Sequence, residues 1–329
     1  MIGTLARARR ALYAWGAIRS ESLPRPVVSI GNLAAGGAGK TPHVMFVAKW
    51  LLEQGVKVAV LSRGYGRRGG GVIWVSHGEG PVVPASIGGD EPVLLAASLP
   101  GVPVIVGESR AEAGKECLRR RNVDAFLLDD GFQHLSLRRD ADILLVDAGR
   151  GLGNRLSLPF GPLRDSPSSA GFADALIITK CASLEQGKAV AGGIPFPSGR
   201  PRAFTRVVPR SIVGRDGMET PLPGAGEEVA AFCGLARNMS FSETLREAGY
   251  VVRKFIEFGD HHAYRERDVE RILASAEGMP VLTTEKDLVR LPPSPRFEAR
   301  ALRVGVEFLE GWEAVSGLIL ERLARTGRP

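Results

Sequence analysis

The chain has 329 residues, of which 44% are hydrophobic and 24% charged, and its formal net charge is +7. This size favours one large and one smaller domain of a soluble globular protein, and no apolar run reaches the roughly 18 residues that a membrane-spanning helix needs. Aromatic residues make up only 6% of the chain, which disfavours a nucleic-acid surface, and three widely spaced cysteines exclude a disulfide framework and favour a reducing cytosol.

Residues 1–22 carry the pattern of an amphipathic helix. Four apolar residues recur at spacings of three and four: Leu5, Ala8, Leu12 and Trp15. Arg7 and Arg10 lie off this stripe, and arginines interrupt any apolar core that a signal peptide would need. The pattern predicts a helix on a membrane surface with its arginines on anionic lipid. A helix packed on its own domain would show the same stripe, so these residues alone leave both interpretations open.

From residue 26 to about residue 178, apolar strands alternate with helical patterns. The strands are runs of β-branched residues and leucine: VVSI, VKVAVLS, VPVIVG, AFLLDD, DILLVDAG and DALIITK. Unbroken runs of this kind are typical of strands buried on both faces of a parallel sheet. The sequence therefore predicts an α/β fold with a doubly wound, mostly parallel sheet.

A phosphate-binding loop follows the first of these strands. It consists of Ala34, Ala35, Gly36, Gly37, Ala38, Gly39, Lys40 and Thr41. Glycines let backbone N–H groups converge on phosphates, Lys40 can reach the β and γ oxygens, and the Thr41 hydroxyl can ligate Mg²⁺. Ala34 stands where the usual motif begins with glycine, which weakens the pattern without removing it. We expect ATP to bind here; the alternative is a glycine-rich turn.

A carboxylate that binds the metal should end a neighbouring buried strand. Asp129 and Asp130 end one such strand and Asp147 ends another. Paired aspartates at a strand end are costly unless a cation or hydrogen bonds compensate them, so we favour Asp129 and Asp130 as magnesium ligands. For Asp147 we favour a turn-capping role.

Glycine and proline become frequent between residues 192 and 226, which is the composition of a domain boundary. Strand and helix patterns resume after residue 226. We therefore divide the chain into an amino-terminal helix (1–22), a nucleotide-binding kinase domain (23–191), a linker (192–226) and a smaller α/β domain (227–329) that closes over the active site.

Several further motifs occur in one order between residue 27 and about residue 291: SRGYGRR, GGDEP, DDGFQH, LPFGPLRD, FGDHHAY and TTEKD. Together they resemble the tetraacyldisaccharide 4'-kinase family, which phosphorylates lipid A precursors in bacteria. The resemblance implies a P-loop NTPase-like fold and ATP-dependent transfer of the γ-phosphate to the 4'-hydroxyl of a tetraacylated glucosamine disaccharide 1-phosphate. It also implies a peripheral enzyme on the cytoplasmic face of the inner membrane, at an anionic lipid surface, with no obligatory protein partner evident.

The resemblance also implies site residues where a motif is intact. Asp90 of GGDEP matches the general base and His261 of GDHHAY its partner. Other polar active-site positions correspond to Glu91, Arg110 and Arg164 near substrate or transition state, and to Asp129, Asp130 and Asp165 near the metal. The family loop also lacks its first glycine. Asp165 stands where glutamate is common, which leaves its metal role less certain.

Physical chemistry supports these roles independently, because phosphoryl transfer needs mainly positive charge on the γ-phosphate and a carboxylate beside the acceptor oxygen. Asp90 can be that carboxylate, and His261 can bring the second domain over the cleft. Other interpretations stay open at this stage: Asp90 could cap the helix that follows it, and His261 and His262 could be surface residues or a metal pair.

Two other functions fit the loop. A nucleotide switch of the partitioning-ATPase class can share the GGxGKT sequence and bind membranes, but it typically carries a lysine where Ala35 stands. An ATP-dependent ligase acting on a small acid would share the fold but has no need of a basic membrane helix.

Overall fold

The computed structural model describes residues 8–13, 15–235, 238–294 and 297–325. Leu5 and Arg7 of the predicted amino-terminal helix lie outside these residues. Residues 8–13 are helical, and residues 15–18 form turns and bends.

The amino-terminal part alternates strands and helices as predicted. Its strands are β1 (Val27–Asn32), β2 (Val58–Ser62), β3 (Ile73–Ser76), β4 (Val104–Val106), β5 (Ala125–Asp129), β6 (Ala141–Asp147) and β7 (Ala175–Thr179). Its helices are α1 (Lys40–Glu53), α2 (Ala85–Gly88), α3 (Asp90–Ser98), α4 (Arg110–Arg120) and α5 (Leu184–Gly192), with a 3₁₀ turn at Pro167–Phe172.

The carboxy-terminal part continues with strands and helices. Its strands are β8 (Arg202–Val213), β9 (Glu219–Pro221), β10 (Glu228–Cys233), β11 (Val251–Glu257), β12 (Val281–Thr284) and β13 (Arg300–Glu310). Its helices are α6 (Asn238–Glu247), α7 (Glu266–Ala276), α8 (Glu285–Leu288) and α9 (Trp312–Arg325).

All these strands belong to one sheet, in the order β11-β10-β12-β13-β8-β7-β6-β1-β5-β2-β4-β3, with β9 paired to β8. The pairs β13–β8, β3–β4 and β8–β9 are antiparallel and the others are parallel. The prediction of a mostly parallel α/β sheet is therefore confirmed. Because β1 lies between β5 and β6, the loop after β1 opens at the carboxyl edge of the sheet beside the ends of both neighbours.

The strand β8 lies inside the segment predicted as a linker, residues 192–226. Glycine and proline cluster on both sides of this strand, and this composition indicated a linker instead of a strand. Within the strand, Pro209 occurs where the pairing with β13 shifts register, a position at which a missing N–H is tolerated. Since the sheet runs continuously through β8 and β13, the proposed domain division stays a prediction.

Helix α1 is held against the carboxy-terminal part by aromatic side chains. The ring of Phe46 lies 5.0 Å from that of Phe308 and 4.9 Å from that of Trp312, and Trp50 lies 5.0 Å from Trp312. Such pairs add to the free energy of ordinary apolar burial. Helix α1, which follows the phosphate loop, therefore packs against both the amino-terminal and the carboxy-terminal part of the chain.

Candidate active site

The predicted phosphate loop leaves β1 and enters α1 with the backbone shape that its glycines permit. Gly36 and Gly39 have φ angles of 105° and 77°, which a residue with a side chain rarely adopts. The loop is also anchored from outside, since the N–H of Ala35 donates to the carbonyl of Pro162 (2.7 Å). The amide of Asn32 donates to the carbonyl of Ala34 (2.7 Å). The loop is preorganised before any nucleotide binds.

Lys40 is the first residue of α1 and is buried. Its Nζ donates to Oδ1 of Asn32 (3.3 Å) and lies 3.6 Å from Oδ1 of Asp130. The ammonium is thus held at the base of the loop by oxygen atoms with which a phosphate would compete.

His43, which sequence reasoning did not single out, fixes the loop to β8. Its Nδ1 lies 2.7 Å from the carbonyl of Gly39, and its Nε2 lies 3.0 Å from Oγ1 of Thr205. Burial lowers the pKa of His43 to about 4, so the ring is neutral at physiological pH. Because a carbonyl can only accept, the proton of the neutral ring lies on Nδ1, and Nε2 accepts from the Thr205 hydroxyl.

The residues that end β6 and β7 support the opposite side of the loop. Oγ1 of Thr179 donates to the carbonyl of Ala38 (3.0 Å), and Nζ of Lys180 donates to the carbonyl of Gly37 (2.5 Å). Lys180 is also paired with Asp147 (2.9 Å), whose other oxygen accepts from the N–H of Gly149. Asp147 therefore caps a turn, as expected.

Asp129 and Asp130 end β5 next to Lys40, but their surroundings differ. Asp129 is buried, accepts from the Ser62 hydroxyl (2.9 Å) through Oδ2 and has no partner for Oδ1. Burial, with the neighbouring charges of Glu91 and Asp130, raises the pKa of Asp129 to about 7. Asp130 adopts a left-handed backbone conformation (φ 53°) and pairs with Arg164 (2.7 Å).

The donor set suits a magnesium ion. A buried carboxylate with an orphaned oxygen atom is stabilised by a cation, and Mg²⁺ requires only one or two carboxylates when phosphates and water complete its shell. Thr41 and Asp129 fit this need from the loop and from β5. In the described part of the chain, no cluster of three or more histidine, cysteine or acidic residues could enclose a metal by itself.

Asp165 has a different environment from the other predicted metal ligands. Its Oδ2 accepts from Nε and Nη2 of Arg10 (3.3 and 3.0 Å), its Oδ1 accepts from the N–H of Ser166, and both charged side chains are buried. The Arg10 guanidinium also lies 4.8 Å from the Phe132 ring and 5.1 Å from the Phe172 ring. The expectation that Arg10 meets anionic lipid is wrong, because this side chain binds the protein's own carboxylate.

Arg110 and Arg164 both approach the paired aspartates. Arg110 is buried at the start of α4, where it donates to the carbonyl of Glu108 and lies 3.3 Å from Nδ1 of His134. Burial and repulsion from Arg63 lower the pKa of Arg110 to about 10, so it stays cationic at neutral pH. Burial and the Arg110 charge lower the pKa of His134 to about 3, which leaves this ring a neutral acceptor.

Asp90 and His261, which are far apart in sequence, meet in the structure. Oδ2 of Asp90 lies 3.1 Å from Nδ1 of His261. Arg290 joins them, since its Nε donates to the same Asp90 oxygen (2.7 Å) and its Nη2 lies 3.0 Å from the same His261 nitrogen. Asp90 occupies the first turn of α3 without capping it, because Gly89 is the N-cap and no side chain bonds the helix end. His262 points elsewhere and bonds Asp268 (3.1 Å).

Glu91, beside Asp90, connects this cluster with the phosphate loop. Its carboxylate accepts from Nζ of Lys286 (2.6 Å). Burial opposes ionisation of Glu91, but the charges of Lys286 and Lys40 outweigh it and lower its pKa below the ordinary value. The charge of Glu91 in turn raises the pKa of Asp129. The two acidic residues of α3 and the carboxylates of β5 therefore share one electrostatic site.

Sequence reasoning missed several residues that shape this site. They are Arg10, Asn32, His43, Lys180, Lys286 and Arg290. The TTEKD motif contains Lys286 and precedes Arg290, so a signal for these two was present. The others are ordinary residue types without a motif, and only their contacts distinguish them.

Known proteins resemble the chain over nearly its whole length. A family model described as tetraacyldisaccharide-1-P 4'-kinase matches residues 1–324. A tetraacyldisaccharide 4'-kinase of Geobacter metallireducens is 41% identical over 304 residues (87% of this chain, 85% of the relative), and one of Anaeromyxobacter dehalogenans is 39% identical over 325 residues (95% and 86%). The crystal structure of "apo" form LpxK from Aquifex aeolicus in complex with ATP has a TM-score of 0.82 at 33% identity, over 98% of this chain and 96% of that chain.

Proposed function

Because the chain belongs to the tetraacyldisaccharide 4'-kinase family, we propose that it transfers the γ-phosphate of ATP to the 4'-hydroxyl of a tetraacylated glucosamine disaccharide 1-phosphate. The family match over the whole chain and the likeness to an ATP complex favour this activity over a partitioning-type switch and over a ligase. The single structural observation that carries the proposal is the approach of Asp90 to His261 beside the phosphate loop.

In the proposed reaction, the oxygen of the 4'-hydroxyl forms a bond to the γ-phosphorus. The bond between that phosphorus and the β,γ-bridging oxygen breaks, and ADP leaves with the bridging oxygen. The hydroxyl proton passes to Asp90, whose Oδ1 meets no donor among the described residues and is free to accept it. His261, which lies against Oδ2, supports the carboxylate in this role.

Positive groups around the loop stabilise the charge on the transferred phosphoryl group. Lys40 binds the β and γ oxygens, and the loop N–H groups that have no partner within the protein donate to the other phosphate oxygens. Arg110 and Arg164, which both approach the aspartates of β5, supply further positive charge. Thr41 and Asp129 would hold a magnesium ion, which would neutralise phosphate charge. Asp130 and Asp165 are paired with arginines, so as metal ligands they would have to leave those partners.

A direct test measures transfer of labelled phosphate from γ-labelled ATP into a chloroform-soluble disaccharide. The full-length protein should label the lipid, and Asp90→Asn should lower kcat by roughly 10²–10⁴-fold, the usual contribution of a general base. The control is Asp124→Asn, which alters a carboxylate that accepts from the N–H of Lys57 just before β5, at the opposite edge of the sheet. ATP hydrolysis without lipid labelling would contradict the proposed acceptor.

We also propose that the amino-terminal helix holds the enzyme on an anionic membrane surface at the cytoplasmic face of the inner membrane. Trp15 is 81% exposed, and Leu12 and Ile18 are exposed as well, whereas Arg10 turns inward. The apolar residues thus face outward, which is the opposite of a helix that packs its apolar stripe on its own domain. Phe172, beside Arg10, extends this apolar surface. Within the described residues, no helix is long and apolar enough to cross a bilayer.

Deleting residues 1–22 would be a poor test of this membrane contact, because it would also leave Asp165 buried without Arg10. Leu12→Ser with Trp15→Ser removes the apolar surface and keeps that ion pair. This variant should bind less to vesicles of anionic phospholipid and have a higher KM for lipid, while its KM for ATP stays unchanged. Val82→Ser, at another exposed apolar residue, is the control. Equal vesicle binding by all three proteins would contradict the proposed contact.

A further inference from the structure

One nitrogen of the Arg290 guanidinium, Nη1, is held by groups of the carboxy-terminal part of the sheet. Arg290 follows α8 and only 5% of its side chain is exposed. Its Nη1 lies 3.3 Å from Oδ1 of Asp287 and 3.4 Å from the carbonyl of Gly234, at the end of β10. These two contacts hold Nη1 against the carboxy-terminal part of the sheet.

Asp287, which contacts Arg290, is itself held in place by hydrogen bonds. It is fully buried, and its Oδ1 accepts from the Tyr264 hydroxyl (3.0 Å). Its Oδ2 accepts from the N–H of Gly234 (3.1 Å) and from the Thr284 hydroxyl (2.7 Å). Burial and the charge of Asp287 raise the pKa of Tyr264, so this phenol remains a donor. Every partner of the carboxylate is a donor, and Arg290 supplies the compensating charge.

The other two nitrogens of the guanidinium, Nε and Nη2, face Asp90 and His261. Nε donates to Oδ2 of Asp90 (2.7 Å), and Nη2 points at Nδ1 of His261 (3.0 Å). Nδ1 of His261 therefore lies between a guanidinium nitrogen, which can only donate, and a carboxylate oxygen, which can only accept. Arg290 thus contacts both members of the Asp90–His261 pair.

We propose that Arg290 is a positioning residue of the phosphoryl transfer, which holds the Asp90 carboxylate and the ring of His261 at fixed positions relative to each other. The inference rests on the proposed role of Asp90 as the base. It requires an arginine, because only the planar fork offers separate donors to Asp287, Asp90 and His261 at fixed angles, whereas lysine offers one flexible point charge.

His261 depends on this contact for its orientation. The residue has a left-handed backbone conformation (φ 56°), and about half of its side chain (54%) is exposed. Two further charged groups lie near this residue: Asp260, 3.9 Å from Nε2, and Glu91, whose charge interacts with His261. Without Arg290, the ring loses its contact with the guanidinium, and the Asp90 carboxylate loses the donor that sets the direction of its free oxygen.

Arg303 provides a matched control, because it also joins α8 to α3 but away from the site. Its Nε donates to Glu285 in α8 (2.7 Å), and its Nη2 donates to Ser98 at the far end of α3 (3.3 Å). A role limited to holding the two helices together would be shared by Arg290 and Arg303.

The experiment measures kcat and KM for lipid and ATP, together with melting temperatures, for Arg290→Met, Arg290→Lys and Arg303→Met. Arg290→Met should lower kcat by about 10–10²-fold, as misplacement of a reacting group does, with KM for ATP within about twofold of wild type. Arg290→Lys should restore the melting temperature more fully than kcat. Arg303→Met should lower the melting temperature and leave kcat within about twofold. Adding His261→Ala to Arg290→Met should cost little more than the worse single change, since the two act as one unit.

Equal losses of kcat and melting temperature in Arg290→Met and Arg303→Met would overturn the inference, as would full kcat in Arg290→Lys. Asp90→Asn, measured alongside, distinguishes a failure of the proposed role of Arg290 from a failure of the proposed role of Asp90. If Asp90→Asn loses activity while Arg290→Met does not, only the role of Arg290 is refuted. If Asp90→Asn keeps the wild-type kcat, the proposed base is refuted and the role of Arg290 with it.

Discussion

Replacing Asp129 with asparagine should stabilise the nucleotide-free protein while impairing its activity. The wild-type carboxylate is buried beside Glu91 and Asp130, and one of its oxygen atoms has no partner. Asparagine keeps an oxygen that can accept from Ser62 but carries no charge. The same change removes a proposed ligand of magnesium, so we expect stability and activity to move in opposite directions.

The magnitude follows from the pKa of Asp129, which burial raises from 3.8 to about 7. The folded state binds this proton more tightly than the unfolded state, so the free energy of unfolding falls as pH rises from 3.8 to about 7 and then levels off. At 1.36 kcal/mol per pK unit, the full effect is about 4 kcal/mol, of which about 3 kcal/mol develops between pH 5 and pH 8. The side-chain NH₂ of the introduced asparagine would be buried without acceptors, which lowers the unfolding free energy of the variant by about 1–3 kcal/mol at every pH.

The assay is urea unfolding of nucleotide-free wild type and Asp129→Asn at pH 5 and at pH 8. The difference in unfolding free energy should shift by about 3 kcal/mol in favour of the variant at the higher pH. Ser62→Ala serves as the control, because it removes the hydrogen bond and keeps the carboxyl. A difference that does not change with pH would refute the raised pKa and the electrostatic account of this site.

Lys40→Ala should lower kcat by about 10²–10³-fold through loss of a charge contact in the transition state; wild-type turnover would refute the nucleotide site. Arg10→Met should destabilise the protein by about 3–5 kcal/mol because Asp165 is left buried and unpaired, and adding Asp165→Asn should restore part of that loss in thermal unfolding; additive losses would contradict the pair. Asp90→Asn and His261→Ala should each lower kcat by roughly 10²–10⁴-fold and combine to much less than their product, whereas additive free energies with lowered melting would indicate separate structural roles.

The fold and half of the site could be predicted because they depend on local patterns. Buried parallel strands appear as unbroken apolar runs, and the loop before Lys40 has glycines where a phosphate needs backbone N–H groups. Asp129 and Asp130 were recognisable as strand-end carboxylates, and Asp90 and His261 were assigned through resemblance to the family. The strand β8 was not predicted, because glycine and proline on both sides concealed a pattern that is stabilised by β13.

What the amino-acid sequence determined by itself was therefore the chemistry available in each segment: a phosphate loop, carboxylates after strands, and an amphipathic amino terminus. The tertiary structure alone decided which charges meet. Arg10 lies 155 residues from Asp165, and Arg290 lies 200 residues from Asp90, yet each pair is in hydrogen-bond contact. The physical reason is that burial makes an unpaired charge costly, so the partner is selected by distance in the folded sheet rather than by distance along the chain.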